Sequence, residues 1–481
     1  MSTIMDLLMK KTIHTDVVVI GSGPAGYSAA FRCADLNLQT ILIERYCSLG
    51  GVCLNVGCIP SKALLHIANT IHEANNIKKC GIEFNQPIIK YNKIQHWKNT
   101  VINTLTTGLS SMANKRNIKV INGIAKFINA HSILVTDNDK EIIIIFKHAI
   151  IATGSYAIKL PGMPYHDHRI WNSTRALEIQ DIPKKLLIVG GGIIGLEMGT
   201  VYHSLGSQID IIDTGSQILP AVDKDVIKVF INAICKNFNL IMNSKILNVE
   251  AKKEGVTIFM QDHNFLQKSI CYDAVLIAIG RAPRSQDLNL KSIGIICDDN
   301  NFIKVDNQLR TNISHIYAIG DVIGQPMLAH KGIHEGHIVA EVIAGKKYFF
   351  NPKVIPCVAY TNPEIAWVGI TEIEAIKLKL NYETAVFPWS ASGRSLASNS
   401  NIGLTKLIFD KNNHRIIGGL VIGKHASELL SEIALSIEMG CDAEDISLTI
   451  HPHPTLSESI GLASDIYQGT ITDLINVKVN R

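Results

Sequence analysis

A chain of 481 residues, at roughly one domain per 150 residues, has room for about three domains and a large buried core. Lysine and arginine number 46 against 42 aspartate and glutamate, a formal net charge of +4, while 47% of the residues are hydrophobic and 18% charged. That balance excludes disulfide miniproteins and disordered tails, and it favours no nucleic-acid partner.

From the N-terminus, Met1–Thr15 sets Asp6 inside its one apolar patch with Lys10 and Lys11 behind it, the wrong order for a secretory signal, so the cytoplasm is the expected compartment. Asp16–Ile20 is a β-branched run that predicts a strand. It leads into Gly21-Ser22-Gly23-Pro24-Ala25-Gly26, a helical stretch Tyr27–Leu36, and a second apolar run Thr40–Ile43 that ends at Glu44 and Arg45. The pattern recurs downstream as Leu186–Val189, the loop Gly190-Gly191-Gly192-Ile193-Ile194-Gly195, a helical stretch, and Ile209–Ile212 ending at Asp213. First glycine and acid lie 23 residues apart in both copies, since 44 minus 21 equals 213 minus 190. Two βαβ units are expected. In each, the first glycine permits the tight turn, the second lets backbone N–H groups approach a pyrophosphate, and the third lets helix and strand pack closely; the acid then binds a ribose.

Three further strand-and-glycine endings, Ala149–Gly154, Val275–Gly280 and Ile316–Asp321, bring the chain back from these units. The third lacks a fingerprint and would complete the first domain after the second has been inserted. The expected organisation is therefore a flavin-nucleotide domain over 1–154, a nicotinamide-nucleotide domain over 155–280, the rest of the first domain over 281–350, and an α+β association module over 351–481. The fold class is α/β, with two Rossmann-like domains, one inserted in the other. No strongly apolar piece, Ile142–Phe146 and Leu186–Leu196 included, reaches the roughly eighteen residues a membrane span needs, so no membrane partner is expected.

Two dinucleotides in one chain imply electron transfer between cofactors, and a flavin can take the two electrons a nicotinamide carries. Ten cysteines stand at 33, 47, 53, 58, 80, 235, 271, 297, 357 and 441, mostly isolated, as reduced thiols are. Only Cys53 and Cys58 form a close pair, in the Gly-rich run Gly50–Lys62 just after the first acid. Five residues apart at a helix start, they can close a small disulfide, and the helix N-terminus would favour a released thiolate. Structural thiols and metal ligation are the competing uses; no second cysteine pair or histidine lies at ligand spacing nearby, so no metal is expected. Near the C-terminus, His453 and Glu458 supply a base that titrates near neutral pH and a carboxylate able to orient it.

The run Gly51-Val52-Cys53-Leu54-Asn55-Val56-Gly57-Cys58-Ile59-Pro60-Ser61-Lys62, the two fingerprints, Gly320-Asp321 and His453-Pro454-Thr455-Leu456-Ser457-Glu458 resemble the flavin-dependent pyridine nucleotide disulfide oxidoreductases over essentially the whole chain. Within that family the resemblance is to members that oxidise dihydrolipoamide. It implies FAD on Gly21, Gly23, Gly26, Glu44, Arg45, Gly51, Val52, Lys62, Ala125, Gly154, Asp321 and Ala329. It implies NAD on Gly190, Gly192, Ile193, Ile194, Gly195, Asp213, Ile246 and Gly280. Cys53 and Cys58 become a redox-active disulfide, Cys53 the interchange thiol and Cys58 the one beside the flavin, with Lys62 paired to Glu197. His453, held by Glu458, becomes the base that reaches the partner subunit's disulfide in a homodimer. The implied partners are the lipoyl domains of 2-oxo acid dehydrogenase complexes, and possible service to a glycine cleavage complex follows from the same carrier. An acid at 213 with no base before Lys224 favours NAD over NADP.

Two positions depart from the family pattern: Pro452 stands where a small residue is usual, and Tyr156-Ala157 replaces the usual Arg-Pro. A glutathione-reductase-like enzyme and a non-catalytic FAD-binding scaffold are the alternatives. A mercuric-reductase reading calls for a cysteine pair near the C-terminus, and the last cysteine is Cys441.

Overall fold

The computed structural model describes residues 11–138 and 140–475. The readings of the first ten residues and of the last six lie outside it. The chain divides into two compact units, one holding the described residues up to Ala63, Asn92–Ile158 and Gly280–Asn351, the other Leu64–Tyr91, Lys159–Ile279 and the described residues from Pro352.

In the first unit, the strand Lys11–Ile20 lies between Thr40–Glu44 and Lys140–Ile151, all parallel, with Lys119–Asn122 outside Thr40–Glu44. Val17, Val18 and Val19 are fully buried, as a central parallel strand covered on both faces requires. The helix Pro24–Asp35 makes the crossover to Thr40–Glu44, with proline at its start, where the missing N–H costs nothing. Ile316–Ala318 adds to the same sheet, parallel to Ala149–Ile151, so the late segment does complete the first sheet. Ser132–Asp137 and Ile124–Asn129 extend it by an antiparallel meander.

The second unit repeats the order. Gln208–Ile212 lies between Phe238–Ile241 and Lys185–Val189, followed by Ala274–Ile277 and Ile170–Trp171, all parallel. A three-stranded antiparallel meander, Ser244–Tyr272, packs with this sheet around Leu187, Val256, Ile258 and Tyr272. The C-terminal residues of the unit form a separate five-stranded antiparallel sheet over Cys357–Gly423, covered by the helices Ala426–Met439 and Glu458–Gln468 around Trp389, Phe409 and Leu430. Leu64–Tyr91, which the sequence reading assigned to the first domain, groups with the second unit.

One helical run is apolar over a long stretch. Gly51–Cys80 reaches a mean hydropathy of 1.3 over an 18-residue window, enough by length and composition to cross a membrane. The sequence reading weighed only uninterrupted apolar runs, and this one is mixed with small and neutral polar residues. Gly57 breaks it into Gly51–Val56 and Cys58–Asn76, so the cysteines sit on either side of a helix break and not at one helix start.

Candidate active site

The two glycine loops are built alike. Gly21 and Gly190 have φ of +101° and +109°, and a Cβ at either would fall 2.4 Å from a backbone carbonyl of the neighbouring strand end, Ala152 or Ala278. At Gly26 and Gly195 a Cβ would fall 1.8 and 2.2 Å from the carbonyl of the first loop glycine, so the third glycine lets the loop fold onto its own helix. Nothing lies within 4 Å of a Cβ at Gly23 or Gly192. Both are helix N-caps without a side-chain cap, which leaves uncapped N–H groups beside open space, a cradle that fits a pyrophosphate. Glu44, buried, accepts from the N–H of Ser22 at 3.0 Å, and Asp213 accepts from the N–H of Gly191 at 2.7 Å. The equal spacing thus places each acid on the second residue of its loop. Arg45 is exposed beside Tyr46.

The cysteine segment is laid on the first loop. Gly50 donates to the Ser22 carbonyl at 2.9 Å, and a Cβ at Gly51 would meet the Gly23 Cα at 2.6 Å. Asn55 ties the short helix down through the carbonyls of Leu49 and Gly51, at 3.0 and 2.9 Å. Val52 is exposed, Cys53 half-buried, and Cys58 exposed as the first residue of a 19-residue helix. Cys53 and Cys58 are both free thiols here, the reduced form of the expected disulfide. A hydrogen bond to Cys58, reinforced by burial, pushes the Cys53 thiol above its ordinary range. Cys58 is the sulfur placed to hold charge, at a helix N-terminus. Lys62 lies one turn further on, within 3.4 Å of Ser61 Oγ.

Ala125 is buried two residues after Gly123, whose N–H bonds the Glu44 carbonyl at 2.9 Å. Gly154 has φ +70° and accepts from the N–H of Arg284 at 2.9 Å. Asp321 accepts from Ser155 Oγ at 2.5 Å, and Ser155 Oγ accepts from Arg281 Nε at 2.7 Å. Burial draws the Arg281 guanidinium below its ordinary value, with Asp321 and then Cys58 acting in the opposite direction, so this arginine is within electrostatic reach of the cysteine pair. Ala329 opens the helix Ala329–Ile343, whose Glu335 accepts from the N–H of Gly320 at 2.7 Å. Gly280, expected with NAD, belongs to the first unit, with φ +123° and its carbonyl bonded by the N–H of Ile158.

In the second unit Ile193 and Ile194 begin the fingerprint helix, and Glu197, nearly fully buried on it, accepts from the N–H of Tyr360 at 3.1 Å. Ile246 sits two residues after Ser244, whose N–H bonds the Asp213 carbonyl at 3.0 Å. His453 Nδ1 lies 2.8 Å from Glu458 Oε1, and the other oxygen of Glu458 accepts from the Thr455 N–H at 2.6 Å. The ring of His453 is 81% exposed, leaving Nε2 on the open side of an oriented imidazole. Pro452 is accommodated: its carbonyl accepts from Thr455 Oγ1 at 2.8 Å and closes the turn. Tyr156 carries the Arg284 guanidinium over its ring at 5.7 Å.

Sequence reasoning missed Tyr27, Ser155, Arg281 and Thr455. Tyr27 and Arg281 each directly follow a fingerprint-type glycine, a position that could have flagged them; burial and then the neighbouring Cys53 raise the Tyr27 phenol above its ordinary value. Among the described residues, the one carboxylate cluster with metal-ligand spacing is Asp223, Asp225 and Glu372. All three point at the ammonium of Lys406, at 3.0, 2.9 and 2.6 Å.

Paired nucleotide loops, one pressed against a dithiol, define a flavin- and pyridine-nucleotide-dependent disulfide oxidoreductase. Residues 15–336 match the family described as pyridine nucleotide-disulphide oxidoreductase, residues 355–464 match its dimerisation domain, and the chain belongs to this family. It is an enzyme that works with FAD and NAD. Over 473 residues it is 58% identical to a protein named dihydrolipoyl dehydrogenase from Buchnera aphidicola subsp. Acyrthosiphon pisum, covering 98% of this chain and 100% of that one. It is 56% identical over 470 residues to a protein of the same name from Vibrio parahaemolyticus, covering 98% and 99%. Among solved structures, LpdA from Mycobacterium tuberculosis superposes with a TM-score of 0.85 at 25% identity, covering 94% of this chain and 99% of that one. The Cu(II) complex of the HOCl-induced flavoprotein disulfide reductase RclA from Escherichia coli gives 0.85 at 26% identity, with the same two coverages.

Proposed function

We propose that the chain oxidises protein-bound dihydrolipoamide to lipoamide and passes the electrons to NAD. The observation that carries this reading is the placement of the two sulfurs: Cys53 half-buried on a short helix laid against the first nucleotide loop, and Cys58 exposed at the N-terminus of the next helix. His453, oriented by Glu458, takes the proton of one substrate thiol. The thiolate attacks Cys53 Sγ of the oxidised pair; the Cys53–Cys58 bond breaks and Cys58 leaves as thiolate. The second substrate thiol releases its proton to solvent, its sulfur attacks the first to close the lipoyl disulfide, and Cys53 is released and takes the proton held by His453, so that Cys58 stays as thiolate. Two electrons and the balance of protons thus move from dithiol to enzyme. FAD, when bound, accepts the pair of electrons from the thiolate side and passes them to NAD as hydride equivalent.

Gly21, Gly23, Gly26, Glu44, Arg45, Gly51, Val52, Lys62, Ala125, Gly154, Asp321 and Ala329 would hold FAD, and Gly190, Gly192, Ile193, Ile194, Gly195, Asp213, Ile246 and Gly280 would hold NAD. The dimerisation-domain match supports a homodimer, in which the exposed His453 serves the partner subunit's cysteines. The lipoyl domains of 2-oxo acid dehydrogenase complexes are the carriers, and the cytoplasm, which keeps the other eight thiols reduced, is the compartment. The high identity to proteins named dihydrolipoyl dehydrogenase supports this over a glutathione-type reductase or a silent scaffold.

Anaerobic titration of the FAD-loaded enzyme with dihydrolipoamide tests it. A long-wavelength thiolate-to-flavin absorption should grow in after two electrons and be lost in Cys58→Ser. Cys53→Ala should abolish dihydrolipoamide oxidation while leaving reduction of ferricyanide by NADH. Faster turnover of oxidised glutathione with NADPH than of dihydrolipoamide with NAD would overturn the assignment.

A further inference from the structure

Two residues before the base stands a second histidine with a carboxylate of its own. His451 Nε2 lies 2.6 Å from Glu432 Oε1 on the helix Ala426–Met439, and the His451 side chain is only 10% exposed, whereas His453 is 81% exposed. Its ring is seated against the terminal helix Glu458–Gln468: a Cβ at Gly461 would fall 3.0 Å from His451 Nδ1 and 3.1 Å from Cε1, so the glycine makes the seat. That helix opens with Glu458, the residue that orients His453. One helix therefore grips the same short segment twice, at Glu458 through the base and at Gly461 through His451, while Glu432 fixes His451 from a second helix.

We infer that His451 is a positioning residue: with Glu432 and the Gly461 seat it anchors the turn Pro452–Thr455, so that the imidazole of His453 is presented at a fixed place and angle. This rests on the reading of His453 as the base. Pro452 stiffens the single residue between anchor and base, since its ring fixes φ near −65°, and its carbonyl is locked by Thr455. The charged groups facing the ring are Glu432 and Glu458, and the Thr449 backbone adds a further hydrogen bond; Glu432, the largest influence, raises His451 above the ordinary histidine range against the opposing effect of burial. Nε2–H donates to the Glu432 carboxylate.

A base displaced by about 1 Å loses on the order of 10²-fold in rate. In the FAD-loaded dimer, His451→Ala should therefore lower kcat for dihydrolipoamide oxidation by about 10- to 100-fold, with flavin content, the KM for NAD and ferricyanide reduction by NADH unchanged, because those do not use His453. His451→Gln keeps a donor for Glu432 and should recover most of the loss, and Glu432→Gln should show a smaller loss of the same kind. Wild-type kcat in His451→Ala, or an equal fall of dithiol oxidation and ferricyanide reduction in all three variants, would overturn the inference. His453→Gln separates the two readings: full dithiol oxidation in that variant sinks the base itself, whereas an inactive His453→Gln beside an unaffected His451→Ala sinks only the anchor.

Discussion

A hydrogen bond to Cys58 and then burial push the Cys53 thiol above its ordinary value. The two thiols have the same chemistry in water; position separates them, one on a short helix braced by Asn55, the other at the start of a long one. The base is arranged by the same logic. Glu458 spends one oxygen on His453 Nδ1 and the other on the Thr455 N–H, so the carboxylate cannot swing away from the ring. Glu458→Gln loses the charge that stabilises the imidazolium, and dihydrolipoamide turnover should fall about 10²-fold with ferricyanide reduction by NADH unaltered, as steady-state kinetics on both acceptors will show.

Among the elements, the first fingerprint helix and Ala329–Ile343 fit closely together. A Cβ at Gly336 would fall 2.7 Å from the Ala25 carbonyl and 2.9 Å from the Ala29 nitrogen, both backbone atoms that cannot give way. Gly336→Val should cost about 1–3 kcal/mol through overpacking. Because the displaced helix carries the nucleotide loop, the variant should also release flavin at a lower denaturant concentration than the parent, followed by fluorescence. The glycine spacing at 21, 23 and 26 was legible because each position has a steric reason that leaves little choice of residue. Gly332 and Gly336 lay in a helix pattern with no motif around them, and only the packed partner explains them.

For the molecule as a whole, two features extend beyond one element. In the second unit Lys406 is 1% exposed, with carboxylates arriving from two separate stretches of chain, Asp223 and Asp225 from one and Glu372 from the other. Burial is the largest single influence and pulls its pKa down, yet the carboxylates outweigh it and push it up to about 12. Lys406→Met leaves the buried Asp223 unneutralised and should cost about 3–5 kcal/mol, read as a lower unfolding midpoint in urea. The second feature is the sharing of sites between subunits in the proposed dimer. Cys53→Ala and His453→Gln chains, each inactive alone, should on dissociation and remixing regain about a quarter of wild-type turnover, since half the dimers are hybrids and each hybrid has one complete site. Activity that stays at zero after verified exchange would place base and cysteines in the same chain.

The sequence by itself determined the two nucleotide loops, their acids, the cysteine pair and the histidine–glutamate pair, because each depends on residue type at short spacing: glycine where a Cβ has no room, sulfur five residues from sulfur, a carboxylate five residues from an imidazole. Tertiary structure alone decided which groups support them. Arg281 reaches Asp321 through Ser155, His451 finds Glu432 nineteen residues away, and Lys406 gathers carboxylates 34 to 183 positions distant. Such partners are chosen by the closing of sheets and the packing of helices over long chain separations, where nothing in the local order of residues marks one polar side chain as the neighbour of another.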